Sequence, residues 1–290
     1  MKLYHIGDVI KSNMKRFALL GDPVEKSLSP FIYNTLFKAY ALDASFECVR
    51  VPKSDVGAVR DIVSVLGLSG FACTMPLKRT VLPLLDEVDA DAMLSGSVNI
   101  VNVNNGRLSG CSTDGLGLVN ALKNETGGIC GKSIAILGSG GACASAALAA
   151  ARAGMRVTIA ARNTHSASEI ASTLPVNSLC GICGLDELAD ALGECDIFVN
   201  ATPLGMSGND ELEINGALSN MKRGSIVFDM VYKKGGTRLL NDASSLGIKA
   251  LSGIYMLLEQ AYPAFELWTG RRVEPREKDL LKRALYNKMN

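Results

Sequence analysis

Five residues, Gly138-Ser139-Gly140-Gly141-Ala142, directly follow the apolar run Ile134 to Leu137 and open an alanine-rich stretch from Ala142 to Ala153. Strand, glycine-rich turn and helix in that order suit a dinucleotide. Glycines let the backbone turn tightly and approach a pyrophosphate, whose charge then meets the unpaired amides of a helix N-terminus. A glycine-rich turn that only packs helix against strand is the competing reading. The next strand-like stretch ends Thr158-Ile159-Ala160-Ala161-Arg162-Asn163 and has no Asp or Glu to chelate both hydroxyls of an adenosine ribose. A guanidinium at Arg162 matches a 2′-phosphate in geometry and charge, which favours NADP over NAD; a solvated surface arginine is the alternative.

The elements needed to position such a loop repeat along the chain. Arg16 to Gly21 is an apolar run stopped by Asp22-Pro23, and a helix-like stretch from Phe31 to Tyr40 follows Ser29-Pro30. A strand over Phe46 to Val51, a helix from Asp55 to Leu66 and a strand over Gly70 to Thr74 come next. Strands near Val98 to Val103 and Arg107 to Ser112 flank Asn104-Asn105-Gly106, whose Asn-Gly step favours a hairpin. A second series has strands near Ile134 to Leu137, Val157 to Ala161, Ile197 to Asn200 and Ile226 to Asp229. Alternation of strand and helix implies an α/β protein with mainly parallel sheets. The expected division is a substrate-binding catalytic domain over 15–115 and a Rossmann-type cofactor domain over 116–252, with 253–290 packing back on the first. The helix from Asp114 to Asn124 bridges the two, the amphipathic segment Tyr255 to Trp268 recrosses the boundary, and a cleft between domains is the natural ligand site.

Bulk properties narrow the classes of partner. A chain of 290 residues suits two domains, and its 48% hydrophobic and 20% charged composition is that of a globular protein. Thirty basic against twenty-nine acidic residues give a net charge of +1, with no basic field for nucleic acid. The eight cysteines are scattered through apolar stretches and read as reduced. Cys180 and Cys183 form a CxxC, but no second pair or histidine pair completes a metal site, so no metal is expected. Met1 to Met14 lacks the apolar core of a signal peptide and no segment approaches a membrane span, so a cytoplasmic protein with a small-molecule partner is expected.

Gly21-Asp22-Pro23, Ser27-Leu28-Ser29-Pro30 and Asn34 resemble the opening motif of the shikimate dehydrogenase family. The likeness continues through Thr74, Pro76 and Lys78, Gly96-Ser97-Val98-Asn99, Thr113-Asp114-Gly115, the glycine loop and Arg162. Asn200 to Met206, Asp229-Met230-Val231-Tyr232 and the block Gly253 to Gly270 complete it, so the resemblance spans about residues 16 to 270 in the family's order. It implies reversible reduction of 3-dehydroshikimate to shikimate with NADP, in aromatic amino-acid biosynthesis. Lys78 and Asp114 are the catalytic residues it implies, and Ser27, Ser29, Thr74, Asn99, Tyr232 and Gln260 the substrate ligands. The cofactor residues are Gly138, Ser139, Gly140, Gly141, Ala142, Arg162, Asn163, Thr202, Val231, Gly253 and Met256.

Ketone reduction needs a proton for the oxygen as hydride reaches the carbon. The chain's two histidines, His5 near its start and His165 beside the ribose strand, are poorly placed for this, which leaves Lys78 as the strong candidate; the resemblance implies that Asp114 lies beside it and orients the ammonium. Without the family, an exposed helix-start lysine and a helix N-cap aspartate are the simpler readings. The serine hydroxyls suit a carboxylate, although two serines beside a proline also make a turn and cap. Lys26 and Tyr33 stand where the family has histidines, Ala72 and Ser112 where it has asparagine, and Ile100 where it has threonine. All five are expected to flank the substrate pocket and to leave open a quinate/shikimate or other cyclitol-acid dehydrogenase. A catalytically silent ligand-binding paralogue and a folate-type dehydrogenase are weaker alternatives, and the chain is expected to be a monomer or homodimer.

Overall fold

The structure, a computed structural model, describes residues 14–206 and 208–289; residues 1–13, His5 among them, lie outside the described residues. The first half contains β1 (Lys15–Gly21), α1 (Ser29–Ala39), β2 (Ala44–Arg50), α2 (Val59–Leu66), β3 (Leu68–Cys73), α3 (Leu77–Thr80), β4 (Glu87–Val88), α4 (Ala90–Ser95), β5 (Ile100–Asn104) and β6 (Arg107–Cys111). Its six strands are ordered β2-β1-β3-β5-β6-β4. Pairing is parallel across β2, β1 and β3, antiparallel on both sides of β5, and parallel again between β4 and β6. The β5–β6 hairpin closes through Asn105 and Gly106, both at positive φ (49° and 77°), the two-residue turn that matches strand twist.

After α5 (Asp114–Thr126) come β7 (Ser133–Leu137), α6 (Gly141–Arg152), β8 (Arg156–Ala160), α7 (Thr164–Ala171), β9 (Leu179–Cys183), α8 (Leu188–Glu194), β10 (Ile197–Asn200), α9 (Asn215–Leu218), β11 (Ile226–Asp229), α10 (Arg238–Ser245) and β12 (Lys249–Ser252). This second sheet is wholly parallel and ordered β12-β11-β10-β7-β8-β9. That is the doubly wound dinucleotide order, with its topological switch between β7 and β10. Every residue of β10 and β11 is buried, because helices cover both faces of a parallel sheet.

Two last helices, α11 (Ile254–Thr269) and α12 (Pro275–Met289), return to the first half. Phe265 and Trp268 of α11 and Leu281 and Leu285 of α12 share an apolar cluster with Phe17, Tyr33, Phe37 and Phe46. Between the halves, α5 is packed on both sides at its glycines. A Cβ on Gly115 would lie 2.2 Å from the Ser145 carbonyl oxygen of α6, and one on Gly117 2.7 Å from Gln260 Cβ of α11. The helices therefore approach more closely than side chains there would permit.

The expected helix over Asp55 to Leu66 divides into a 3-10 turn, Lys53–Ala58, and α2. Expectations did not include β4, α4, β9 or β12. The CxxC falls on β9, where Cys180 is exposed and Cys183 buried, and no cluster of metal-ligating residues occurs among the described residues.

Candidate functional site

A cleft of about 1650 Å³ runs between the two sheets, and every residue assigned to the site from the sequence lines it. Chemistry is concentrated where α3 faces the start of α5. Lys78 Nζ donates to Asp114 Oδ2 at 2.5 Å; the lysine side chain is 22% exposed and the aspartate 7%. Asp114 stands in the first turn of α5, where a negative charge meets the positive end of the helix dipole. Its other oxygen accepts from Asn99 Nδ2 at 3.1 Å. Asn99 is locked in turn, because its Oδ1 accepts from the Thr113 amide at 2.7 Å and its Nδ2 also reaches Gln260 Oε1 at 3.1 Å. Position is therefore passed to Lys78 through Asp114 from a buried polar network.

The residues expected to bind substrate surround this pair. Thr74 ends the run from β3, and its hydroxyl, like that of Ser29, has no hydrogen-bonded partner among the described residues. Ser27 Oγ accepts from the Ser29 amide at 3.2 Å, so it caps the turn into α1 as well as facing the cleft. Tyr232 enters from beyond β11. Burial pushes its phenol pKa up, opposed by the Leu28 backbone and the Ser27 hydroxyl. Asn99 and Gln260 are mutually bonded and almost wholly buried, so part of their capacity is already used within the protein.

Across the cleft, the glycine loop joins β7 to α6. Gly138 has φ 141°, and a Cβ there would lie 3.2 Å from the Ala201 carbonyl oxygen of the neighbouring β10 loop. Both conditions call for glycine at the switch point. That neighbouring loop is held by Asn200, whose Oδ1 accepts from the Thr202 amide at 3.0 Å and hydroxyl at 2.7 Å, while its Nδ2 donates to Asp229 at 2.9 Å. Asp229 also accepts from the Val231 amide and the Thr237 hydroxyl. Burial pushes its pKa up to about 6 against these three donors, leaving a carboxylate at neutral pH. Val231 and Met256 are buried and still face the cleft. Gly253 lets α11 begin against β11, since a Cβ would strike the Met230 carbonyl oxygen at 2.1 Å. Arg162 is exposed and makes no bond to another described residue, whereas Asn163 is occupied as the cap of α7, accepting from the Ser166 amide at 3.2 Å.

One expectation is corrected. Of the five residues expected to flank the substrate pocket, only Lys26 and Ala72 line the cleft. Tyr33 is wholly buried and stacked on Phe46 at 4.5 Å, and its hydroxyl has no hydrogen-bond partner among the described residues. Ile100 lies in the same apolar cluster, and Ser112 Oγ meets Ser145 Oγ of α6 at 2.8 Å. Tyr33 points from α1 into the aromatic core and Ile100 packs in that same core, where burying apolar surface is favoured, while Ser112, just past the end of β6, turns to α6. The sequence reading also missed supporting residues. Thr113 joins Asn99 to Gln260, Ser145 accepts from the Gly115 amide at 3.0 Å, and Asn200 with Asp229 shapes the cofactor loops. Thr113, Asn200 and Asp229 stood inside recognised motifs, but Ser145 carried no signal in the chain.

Comparison with known proteins agrees with this geometry. Residues 19–101 match the shikimate dehydrogenase substrate binding domain, 253–277 the shikimate 5'-dehydrogenase C-terminal domain, and 121–243 the alanine dehydrogenase/PNT C-terminal domain. A shikimate dehydrogenase (NADP(+)) of Alkaliphilus metalliredigens is 38% identical over 258 residues, 87% of this chain and 90% of its own. A crystal structure of a shikimate dehydrogenase in complex with NADP+ matches with TM-score 0.84 and 33% identity, covering 96% of each chain. That of the Thermus thermophilus shikimate 5-dehydrogenase with NADP(H) and shikimate has TM-score 0.79 and 31% identity, covering 93% of this chain and 99% of that one.

Proposed function

Because the chain belongs to the shikimate dehydrogenase family, we propose that it reversibly reduces 3-dehydroshikimate to shikimate with NADPH, as an oxidoreductase of aromatic biosynthesis. One observation carries the chemistry: the Lys78–Asp114 pair and the glycine loop face a single cleft. NADPH would supply the hydride when bound, held with its pyrophosphate at the glycine loop and its 2′-phosphate at Arg162. Ser27, Ser29 and Tyr232 grip the substrate carboxylate, and Thr74, Asn99 and Gln260 meet the ring hydroxyls. Lys78 gives its proton to the carbonyl oxygen as charge develops there, and Asp114 holds the ammonium in line. In the reverse direction the lysine accepts the proton.

The division into a substrate domain over 15–115, with 253–290 returned to it, and a cofactor domain over 116–252 belongs to this reading. So does a cytoplasmic location, supported by eight free cysteines; no helix among the described residues is long and apolar enough to cross a membrane. The assembly is read as a monomer or homodimer, with no nucleic-acid partner.

Oxidation of shikimate and quinate with NADP and NAD tests the proposal. Shikimate with NADP is expected to give the highest kcat/KM, since quinate's extra hydroxyl needs both room and a partner. Activity on another cyclic acid, with none on shikimate at saturating NADP, would defeat the pathway assignment. Ala72 supports a second reading, because it lines the cleft and is smaller than asparagine, leaving room for a fuller ring. In that case Ala72→Asn should lower the quinate-to-shikimate ratio. The cofactor assignment has its own check. Arg162→Ala should weaken NADP by about 1.5–3 kcal/mol and barely affect NAD; equal loss for both would make Arg162 structural.

A further inference from the structure

The opening of α6 is met by residues from the other half of the molecule. A Cβ on Gly141 would lie 2.6 Å from Ser97 Oγ and 3.5 Å from Arg79 Cγ. Ser97 is wholly buried, and its hydroxyl, beside that first helical residue, has no hydrogen-bond partner among the described residues. Arg79 is exposed, lines the cleft with the loop, and bonds to no other described residue. Its stem thus lies along the N-terminus of a twelve-residue helix, where amides lack acceptors and an anion is favoured. A guanidinium with no carboxylate partner beside such a site is suited to a phosphate.

We propose that Arg79, beside the end of the glycine loop, binds the pyrophosphate of the bound dinucleotide, so that both halves of the molecule grip the cofactor. The inference rests on the dinucleotide reading of that loop. Arg79 complements Arg162, because the two meet different charges: Arg162 the 2′-phosphate peculiar to NADP, and Arg79 the pyrophosphate common to NADP and NAD. Arg79 also follows Lys78 directly within α3, so a phosphate held by one steadies the short turn that carries the other. Contact between Ser97 and Gly141 sets the spacing across which this grip acts.

The test is calorimetric binding of NADP, NAD and 2′-AMP to the substrate-free wild type, Arg79→Ala and Arg162→Ala proteins. Arg79→Ala is expected to weaken both dinucleotides by the same factor, roughly 5- to 50-fold, and to leave 2′-AMP unchanged because that probe has no pyrophosphate. Arg162→Ala should weaken NADP and 2′-AMP and spare NAD. Unchanged dinucleotide binding in Arg79→Ala, or a loss shared by 2′-AMP, would overturn the inference while leaving the loop assignment intact. If the wild type binds neither dinucleotide, the loop reading and this inference fall together.

Discussion

Lys78→Ala is expected to lower turnover on the true substrate by roughly 10²–10⁴-fold, the range for a positioned proton donor, without a comparable loss of NADP affinity. The ammonium is 2.5 Å from a nearly buried carboxylate that Asn99 also holds, so its position is determined before substrate arrives. Such preorganisation makes a donor effective, since little rearrangement remains for the reaction itself. Lys78→Arg separates charge from proton transfer: a guanidinium can still pair with Asp114 but does not give up its proton, so turnover should stay low. Asp114→Asn should also impair turnover, and the loss in the double variant should be less than the sum of the two because both act on the same proton. Steady-state kinetics with dinucleotide binding checks this. Near-normal turnover in Lys78→Ala would require another proton donor.

The largest stability effect is expected at Trp268, where alanine should cost about 3–5 kcal/mol, the usual loss for a buried aromatic side chain. Trp268 is 4% exposed, lies 4.9 Å from Phe17 and 5.1 Å from Tyr33 between ring centroids, and donates from Nε1 to the Val101 carbonyl at 3.1 Å. Space for it exists because Gly70 of β3 has no Cβ, which would lie 2.5 Å from Nε1. The residue thereby docks α11 on the first sheet, and α11 also carries Gln260 and Met256 to the cleft. Denaturant midpoints for wild type, Trp268→Ala and Trp268→Phe give the measurement. The phenylalanine variant should retain most of the stacking and lose the hydrogen bond, so its loss should be smaller. A cost below about 1 kcal/mol for alanine would show that α11 is held elsewhere.

Local signals were legible where one short segment sets its own geometry. The strand-glycine-helix run around Gly138 and the Asn105-Gly106 turn could be read directly, because backbone freedom and helix-end amides are properties of adjacent residues. The buried parallel strands β7, β10 and β11 announced themselves as apolar runs. Edge elements did not. The two-residue β4 and the β9 strand, with exposed Leu179 and Cys180, are too short or too mixed to show a period.

The residue types thus determined the fold class, the glycine-rich turn from β7 into α6 and, through motif order, the family. What only the tertiary structure decided was which side chains share the cleft and what constrains them. Tyr33 and Ile100 are near the site in motif order yet turn into the core, while Gln260 comes from the far end of the chain to Asn99. Arg79 and Ser97 meet Gly141 across the boundary between the halves. Such contacts depend on how helices and sheets pack over long sequence separations, where a shift of one residue turns a strand side chain to the opposite face. Composition and spacing along one strand or helix carry no record of that choice, which is made when α5, α6 and α11 close on one another at Gly115 and Gly117.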